Sequence, residues 1–216
     1  PAAIVRWLSE RAAVQFRFGL VATRVEPGAV TFADGTRAAA DQIFVCSGHD
    51  LRTLFPRELA AAGVTVCKLQ MLRTAPQPAG WKLGPALCAG LTLAHYDAFA
   101  LCPSLAELKQ HFAQARAEEM RWGVHVLVSQ NGDGGLTLGD THEYGATHDP
   151  FQREALDRLV LAYLDEFACI PERSIAEHWT GYYPKLAGKS ELVLNPMPGV
   201  TLVNALGGAG MTMSFG

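Results

Sequence analysis

The sequence predicts an α/β chain in which a portion of a Rossmann-like sheet is interrupted by a mixed, mainly antiparallel α+β domain. Three observations predict it. Gln42 to Ser47 is an apolar run ending at Gly48. Val200 to Ala205 is a second strand running into Gly207, Gly208 and Gly210. The residues between them carry hairpin and helix signals instead. A run such as Gln42 to Ser47 suits a strand buried on both faces of a parallel sheet covered by helices, and α/β sheets place ligands beyond the carboxyl ends of such strands. The boundaries that follow are 1–65 and 186–216 for the two portions of that sheet, and 66–185 for the intervening domain.

The elements follow in order. Ile4, Trp7, Leu8 and Ala12 stand at helical spacing. Val14 to Phe18 and Leu20 to Val25 read as extended segments. Ala29 to Phe32 reads as a short strand between turns at Glu26-Pro27-Gly28 and Ala33-Asp34-Gly35. Val64 to Arg73 reads as a long strand. Ser104 and Glu107 form a capping box for a helix reaching about Ala117. Val124 to Ser129 and Leu136 to Gly139 read as a hairpin turned by the glycine-rich stretch Asn131 to Gly135. Asp149 as cap, Pro150 at the first helical position and Gln152 open a further helix. Its Phe151, Leu156, Leu159, Tyr163, Leu164 and Phe167 share one face, and Glu154 and Arg158 form an i,i+4 pair.

Composition removes several function classes. Eighteen Lys+Arg against 21 Asp+Glu leave a net charge of −3, which gives no electrostatic reason to bind nucleic acid or an anionic membrane. The charge-free stretch from Leu192 to Gly216 contains Pro196, Pro198, Gly199, Gly207, Gly208 and Gly210, so no lipid-exposed helix is expected there. Five widely spaced cysteines without a CxxC argue for reduced thiols in a cytoplasmic protein and against a structural zinc site.

Candidate residues gather at strand ends. His142 stands two residues after Asp140, which allows an acid/base pair or part of a metal site; no HxxE or HxxxH spacing supplies further ligands, so no metal is expected. The bland reading of His142 is a hydrogen-bonded structural residue, and His95, His111, His125 and His178 read as structural or surface residues. Without a GxSxG elbow a Ser/His/Asp triad has no support. The aromatic run Trp179 to Pro184 reads as core packing or as the wall of a flat-ligand site. The glycines at 207, 208 and 210 let backbone N–H groups approach a ligand, although a tight strand-to-helix turn would use them equally.

Taken together, Thr23 to Glu26, Ala40 to Gly48, Leu136 to Asp140, Trp179 to Pro184 and Gly207 to Thr212 resemble, in order, the flavin-dependent amine and amino-acid oxidoreductases that include D-amino-acid oxidase, glycine oxidase and sarcosine oxidase. The stretches Cys67 to Thr74, Ser129 to Gly132 and Gly208 to Gly216 look most like a branch associated with aminophosphonates. The resemblance covers essentially the whole chain but lacks the family's GxGxxG fingerprint, so the chain reads as the middle and C-terminal part of a longer enzyme. It also places Tyr183 where amino-acid-oxidising relatives carry an arginine in W-x-G-x-R-P, removing a bidentate clamp for a substrate carboxylate.

The resemblance implies FAD as cofactor. Val25 would meet its adenine end, Ser47 and Gly48 would flank it, and Gly207, Gly208, Ala209, Gly210, Met211 and Thr212 would lie along the flavin's N1–C2=O edge, where N–H groups stabilise the charge of the reduced ring. His142 is the candidate catalytic base, with Gln70, Tyr96, Tyr144 and Tyr183 as substrate-pocket residues. The implied reaction is oxidation of a C–N bond of a small amine by hydride transfer to flavin N5. A sarcosine- or glycine-type oxidase and a non-catalytic remnant or interaction subunit remain open, as does assembly into a homo-oligomer.

Overall fold

The computed structural model describes residues 2–210. These divide into two compact units, the first holding 2–62 and 191–204 and the second 63–190 and 205–210. The fold is mixed α/β, built on several sheets.

In the first unit, the helix Ala2–Arg11 precedes an antiparallel sheet of Ala22–Glu26, Ala29–Phe32 and Arg37–Ala39. The extended segment expected at Val14 to Phe18 forms no strand: Phe16 and Phe18 stack on each other, and the ladder starts only where Ala22 meets Phe32. A second sheet joins Leu192–Met197 to Val200–Asn204 in antiparallel fashion, and Val200–Asn204 to Ile43–Val45 in parallel. Gly199 launches that parallel pair. Its carbonyl accepts from Ile43 N at 2.8 Å, its φ is +72°, and a Cβ there would sit 2.8 Å from Asp41 O. Burial on both faces of the apolar run is not what the structure shows. Ile43 and Val45 are buried whereas Phe44 is 68% exposed, because alternation sends Phe44 to the sheet's other face. At the end of this strand Asn204 Nδ2 donates to Ser47 Oγ (3.2 Å) and Gly48 O (3.0 Å), fixing the turn.

The second unit is organised by the strand Thr65–Thr74. On one side it pairs residue for residue with Ile175–Lys185, from Thr74 opposite Ile175 to Thr65 opposite Lys185, with one bulge. The aromatic run Trp179 to Pro184 therefore belongs to a long edge strand, where a proline without an N–H is tolerated. On its other side Thr65–Thr74 pairs with Leu136–Gly139 and, after a break, with Glu143–Gly145. Leu136–Gly139 continues to Leu127–Gln130 and Leu87–Cys88. Leu72, Val126, Val128, Leu136 and Leu138 form the buried sheet face, against Val160, Tyr163 and Leu164 of the helix Glu154–Leu164. Tyr163 also accepts a bond from Leu91 N at 3.0 Å, tying that helix to the loop after Leu87–Cys88.

Two helix starts differ from expectation. Ser104 precedes the helix Leu105–Ala115 but makes no side-chain cap bond. The helix expected from Pro150 begins only at Glu154, because tertiary contacts claim the preceding backbone. Lys68, 1% exposed, donates through Nζ to the carbonyls of Asp149 and Phe151, each at 2.8 Å, with Glu143 Oε1 at 3.6 Å. Gln70 holds Arg153 through both its backbone N–H and its carbonyl. Asp149 Oδ1 accepts from Phe151 N, an Asx turn rather than a helix cap. Phe151 consequently stays exposed.

All five cysteines are free thiols, and among the described residues no helix is long and apolar enough to cross a membrane. Lys68→Met should leave two buried carbonyls and Glu143 without a cation, lowering stability by about 3 kcal/mol. A urea unfolding midpoint shifted down at unchanged slope is the expected result.

Candidate functional site

The break between the two partners of Thr65–Thr74 creates the site. Met71 faces Gly139 and Lys68 faces Glu143, so Asp140, Thr141 and His142 stand opposite only Leu69 and Gln70. The excess residue makes a bulge, a device that re-aims side chains. It is pinned by Gln70 N donating to Thr141 Oγ1 at 3.2 Å. Asp140 and His142 consequently turn into a pocket of about 510 Å³ within the second unit. His125 joins them because the hairpin ladder continues past Leu127 and Gly139: its backbone and that of Asp140 exchange both hydrogen bonds, at 2.9 and 3.3 Å. His95 and Tyr96, Tyr183 and Lys185, and Gly207, Gly208 and Ala209 complete the walls used below.

His142 Nδ1 lies 2.7 Å from the carbonyl of Gly123. A carbonyl only accepts, so Nδ1 carries the proton and Nε2 holds a lone pair. His125 Nε2 lies 3.2 Å from Asp140 Oδ1, and His142 Nε2 lies 3.9 Å from Asp140 Oδ2. These contacts join uncharged imidazoles to a carboxyl group and are not ion pairs. Burial, reinforced by His95 and His142, pushes His125 down to about 2. Burial and His95 push His142 down to about 4, against the opposing Gly123 bond. Burial raises the Asp140 carboxyl to about 7. His125 Nδ1 and Asp140 Oδ1 are buried with no hydrogen-bond partner. The three imidazoles lie with ring centres 4.1 to 4.8 Å apart.

The sequence-derived candidates fall in three places. His142, Tyr96 and Tyr183 line this pocket together with Gly207, Gly208 and Ala209. Tyr144 is adjacent, its ring 6.2 Å from that of His142; Tyr144 and Tyr183 both bond the Cys67 thiol, and burial raises all three groups, Cys67 to about 11. Gln70 stands apart. At 2% exposed, its carboxamide is spent on Arg153 and Asp157 rather than turned to the pocket. Val25 and Ser47 line a separate groove of about 450 Å³ in the first unit, with Gly48 following Ser47 at φ +57°. Gly210 packs near Leu206, and Met211 and Thr212 lie outside the described residues. Sequence alone reads His95 and His125 as structural or surface residues. They reach the pocket from distant parts of the sequence, and only the hairpin register, extended to Asp140, could have signalled one of them.

Gly123 supports His142 directly. It holds φ +56°, and a Cβ there would come within 2.8 Å of His142 Cβ. Gly123→Ala should cost about 2 kcal/mol through its left-handed backbone and this clash. The check is a lowered unfolding midpoint together with a shifted His142 ring resonance in NMR spectra.

Residues 1–216 match the sequence pattern of the DAO family, described as FAD dependent oxidoreductase. No curated protein matches the chain significantly. Among solved structures, glycine oxidase from Geobacillus kaustophilus is similar over 99% of this chain and 50% of its own, at 13% identity and a TM-score of 0.59. Iminodiacetate oxidase from Chelativorans sp. BNC1 is similar over 98% and 49%, at 19% identity and a TM-score of 0.59. L-proline dehydrogenase from P. horikoshii is similar over 90% and 46%, at 16% identity and a TM-score of 0.58. The chain thus spans about half the length of these proteins and shares their fold.

Proposed function

From the premise that this chain belongs to the FAD dependent oxidoreductase family, we propose that it is part of an enzyme that oxidises a C–N bond of a small amine bearing an anionic group, of the aminophosphonate class. The observation that carries this reading is one pocket joining the glycine-lined strip 207–209 to an unprotonated imidazole nitrogen, two tyrosines and two lysines. Gly208 has no atom within 4 Å of where a Cβ would stand, so the strip leaves room for a flat ring against backbone. Gly207, Gly208 and Ala209 fit a flavin edge; Gly210, and by the family resemblance Met211 and Thr212, would extend that strip, and the family resemblance gives Val25, Ser47 and Gly48 as further FAD contacts. Bound FAD would supply the two-electron acceptor.

The chain's own residues have separate tasks. His142, protonated on Nδ1 and open at Nε2, accepts a hydrogen bond from the substrate amine and orients it for loss of its C–H hydrogen. Tyr96 and Tyr183 frame the substrate, and Tyr144 orients Tyr183 through Cys67. Gln70 acts as a positioning residue: its backbone pins the bulge and its side chain holds Arg153. Lys185 takes the anionic group as a point charge, where an arginine fork would instead select a planar carboxylate. Tyr183 in place of arginine also leaves open a second reading, a sarcosine- or glycine-type substrate.

Acid release should yield FAD from a yellow protein. Anaerobic bleaching should then be faster with 2-aminoethylphosphonate and its N-alkyl derivatives than with glycine or sarcosine; the reverse order would favour the second reading. A folded protein that stays colourless with added FAD would instead support a non-catalytic remnant. His142→Gln should slow bleaching by about 100-fold while FAD stays bound.

A further inference from the structure

We propose that His95, His125 and His142 form a binding site for a divalent metal ion of the zinc type, with Asp140 beside them as its charge partner. Each histidine offers a nitrogen, and all three ligand atoms lie within 4.8 Å of one another. With Zn–N bonds of about 2.0–2.1 Å, a tetrahedral centre needs nitrogens about 3.4 Å apart. Side-chain rotation of little more than 1 Å would bring the three together.

Three independent features point to a cation. The first is the chemistry of the donor set. His142 is fixed in the tautomer that leaves Nε2 unprotonated, because Nδ1 donates to Gly123 O, and a backbone carbonyl holding the other ring nitrogen is the usual support of a metal-bound histidine. The second is polar satisfaction. His125 is 3% exposed and its Nδ1 is buried with no hydrogen-bond partner, while Asp140 Oδ1, although 3.2 Å from His125 Nε2, makes no hydrogen bond either. Native interiors rarely leave such atoms unpaired. The third is the pairing of acceptors. A lone pair on His142 Nε2 stands 3.9 Å from Asp140 Oδ2, and two acceptors facing each other in a buried site call for a positive charge. That charge is either a proton on Asp140 or a metal ion, and the experiment below separates the two.

Imidazole nitrogens with one carboxylate suit zinc, cobalt or nickel rather than calcium or magnesium, which require several oxygens. Three protein ligands leave a fourth position open. Lys185 and Lys189 line the same pocket, so that position favours an anionic oxygen over a neutral amine. Metal and substrate amine would compete for His142 Nε2, making zinc an inhibitor of any turnover that uses this nitrogen.

The test is a Co²⁺ titration of the chelator-treated protein, following the visible d–d bands that lie to the red of flavin absorption. The expected result is one Co²⁺ per chain, displaced by an equivalent of Zn²⁺. His95→Gln, at a half-buried position, should weaken binding at least about 10-fold, and Asp140→Asn about 10- to 100-fold. His142→Gln should abolish the band. Absence of a d–d band at stoichiometric Co²⁺, or affinities unchanged in both His95→Gln and His142→Gln, would overturn the proposal and leave the proton as the resident charge. The readout is the metal's own spectrum, so a protein that fails to bind FAD still decides the question.

Discussion

The second unit depends on one constraint: Thr65–Thr74 must be paired along its whole length on one edge, yet its other edge is served by two separate segments. Pairing with Ile175–Lys185 runs from Thr65 to Thr74 with one bulge near Ile175. The interruption opposite Leu69 and Gln70 is thereby forced onto the other side, where Asp140 and His142 leave the ladder. The side chains of Lys68 and Gln70 secure the same point by binding the backbone of 149–153. Pocket, bulge and the delayed start of the helix Glu154–Leu164 are thus consequences of one strand's hydrogen-bonding requirements.

Burial sets the chemistry inside the pocket. His125, His142 and Asp140 lie where charge is poorly solvated, so the imidazoles stay neutral and the carboxyl holds its proton more tightly than in water. The ion pairs elsewhere are of another kind. Arg158 with Glu154 and Arg121 with Glu118 are well exposed and stabilise little. These charged groups lie on the outside, and neutral polar groups line the pocket.

The fold shared with glycine oxidase, iminodiacetate oxidase and L-proline dehydrogenase persists at 13 to 19% identity. Sheet registers tolerate such divergence because they rest on backbone bonds and on the alternation of apolar side chains, which many sequences satisfy.

By itself, the sequence determined the elements whose signals are local. The hairpin between Leu127–Gln130 and Leu136–Gly139, the strand Thr65–Thr74, the apolar face of Glu154–Leu164 and the glycine-ended strand Val200–Asn204 were all legible, because turn residues and periodicity act over a few positions. The motifs in their order also sufficed to name the family. Tertiary structure decided what depends on distant partners. It held residues 150–153 out of the helix through Lys68 and Gln70, turned Phe44 outward, and drew Trp179 to Pro184 into a long edge strand. It alone brought His95, His125 and His142 together. Nothing in their spacing could reveal that meeting, since a short helix (Thr92–His95), the lead into the strand Leu127–Gln130 and a bulge each deliver one ring, and the sheet's register fixes where the latter two converge.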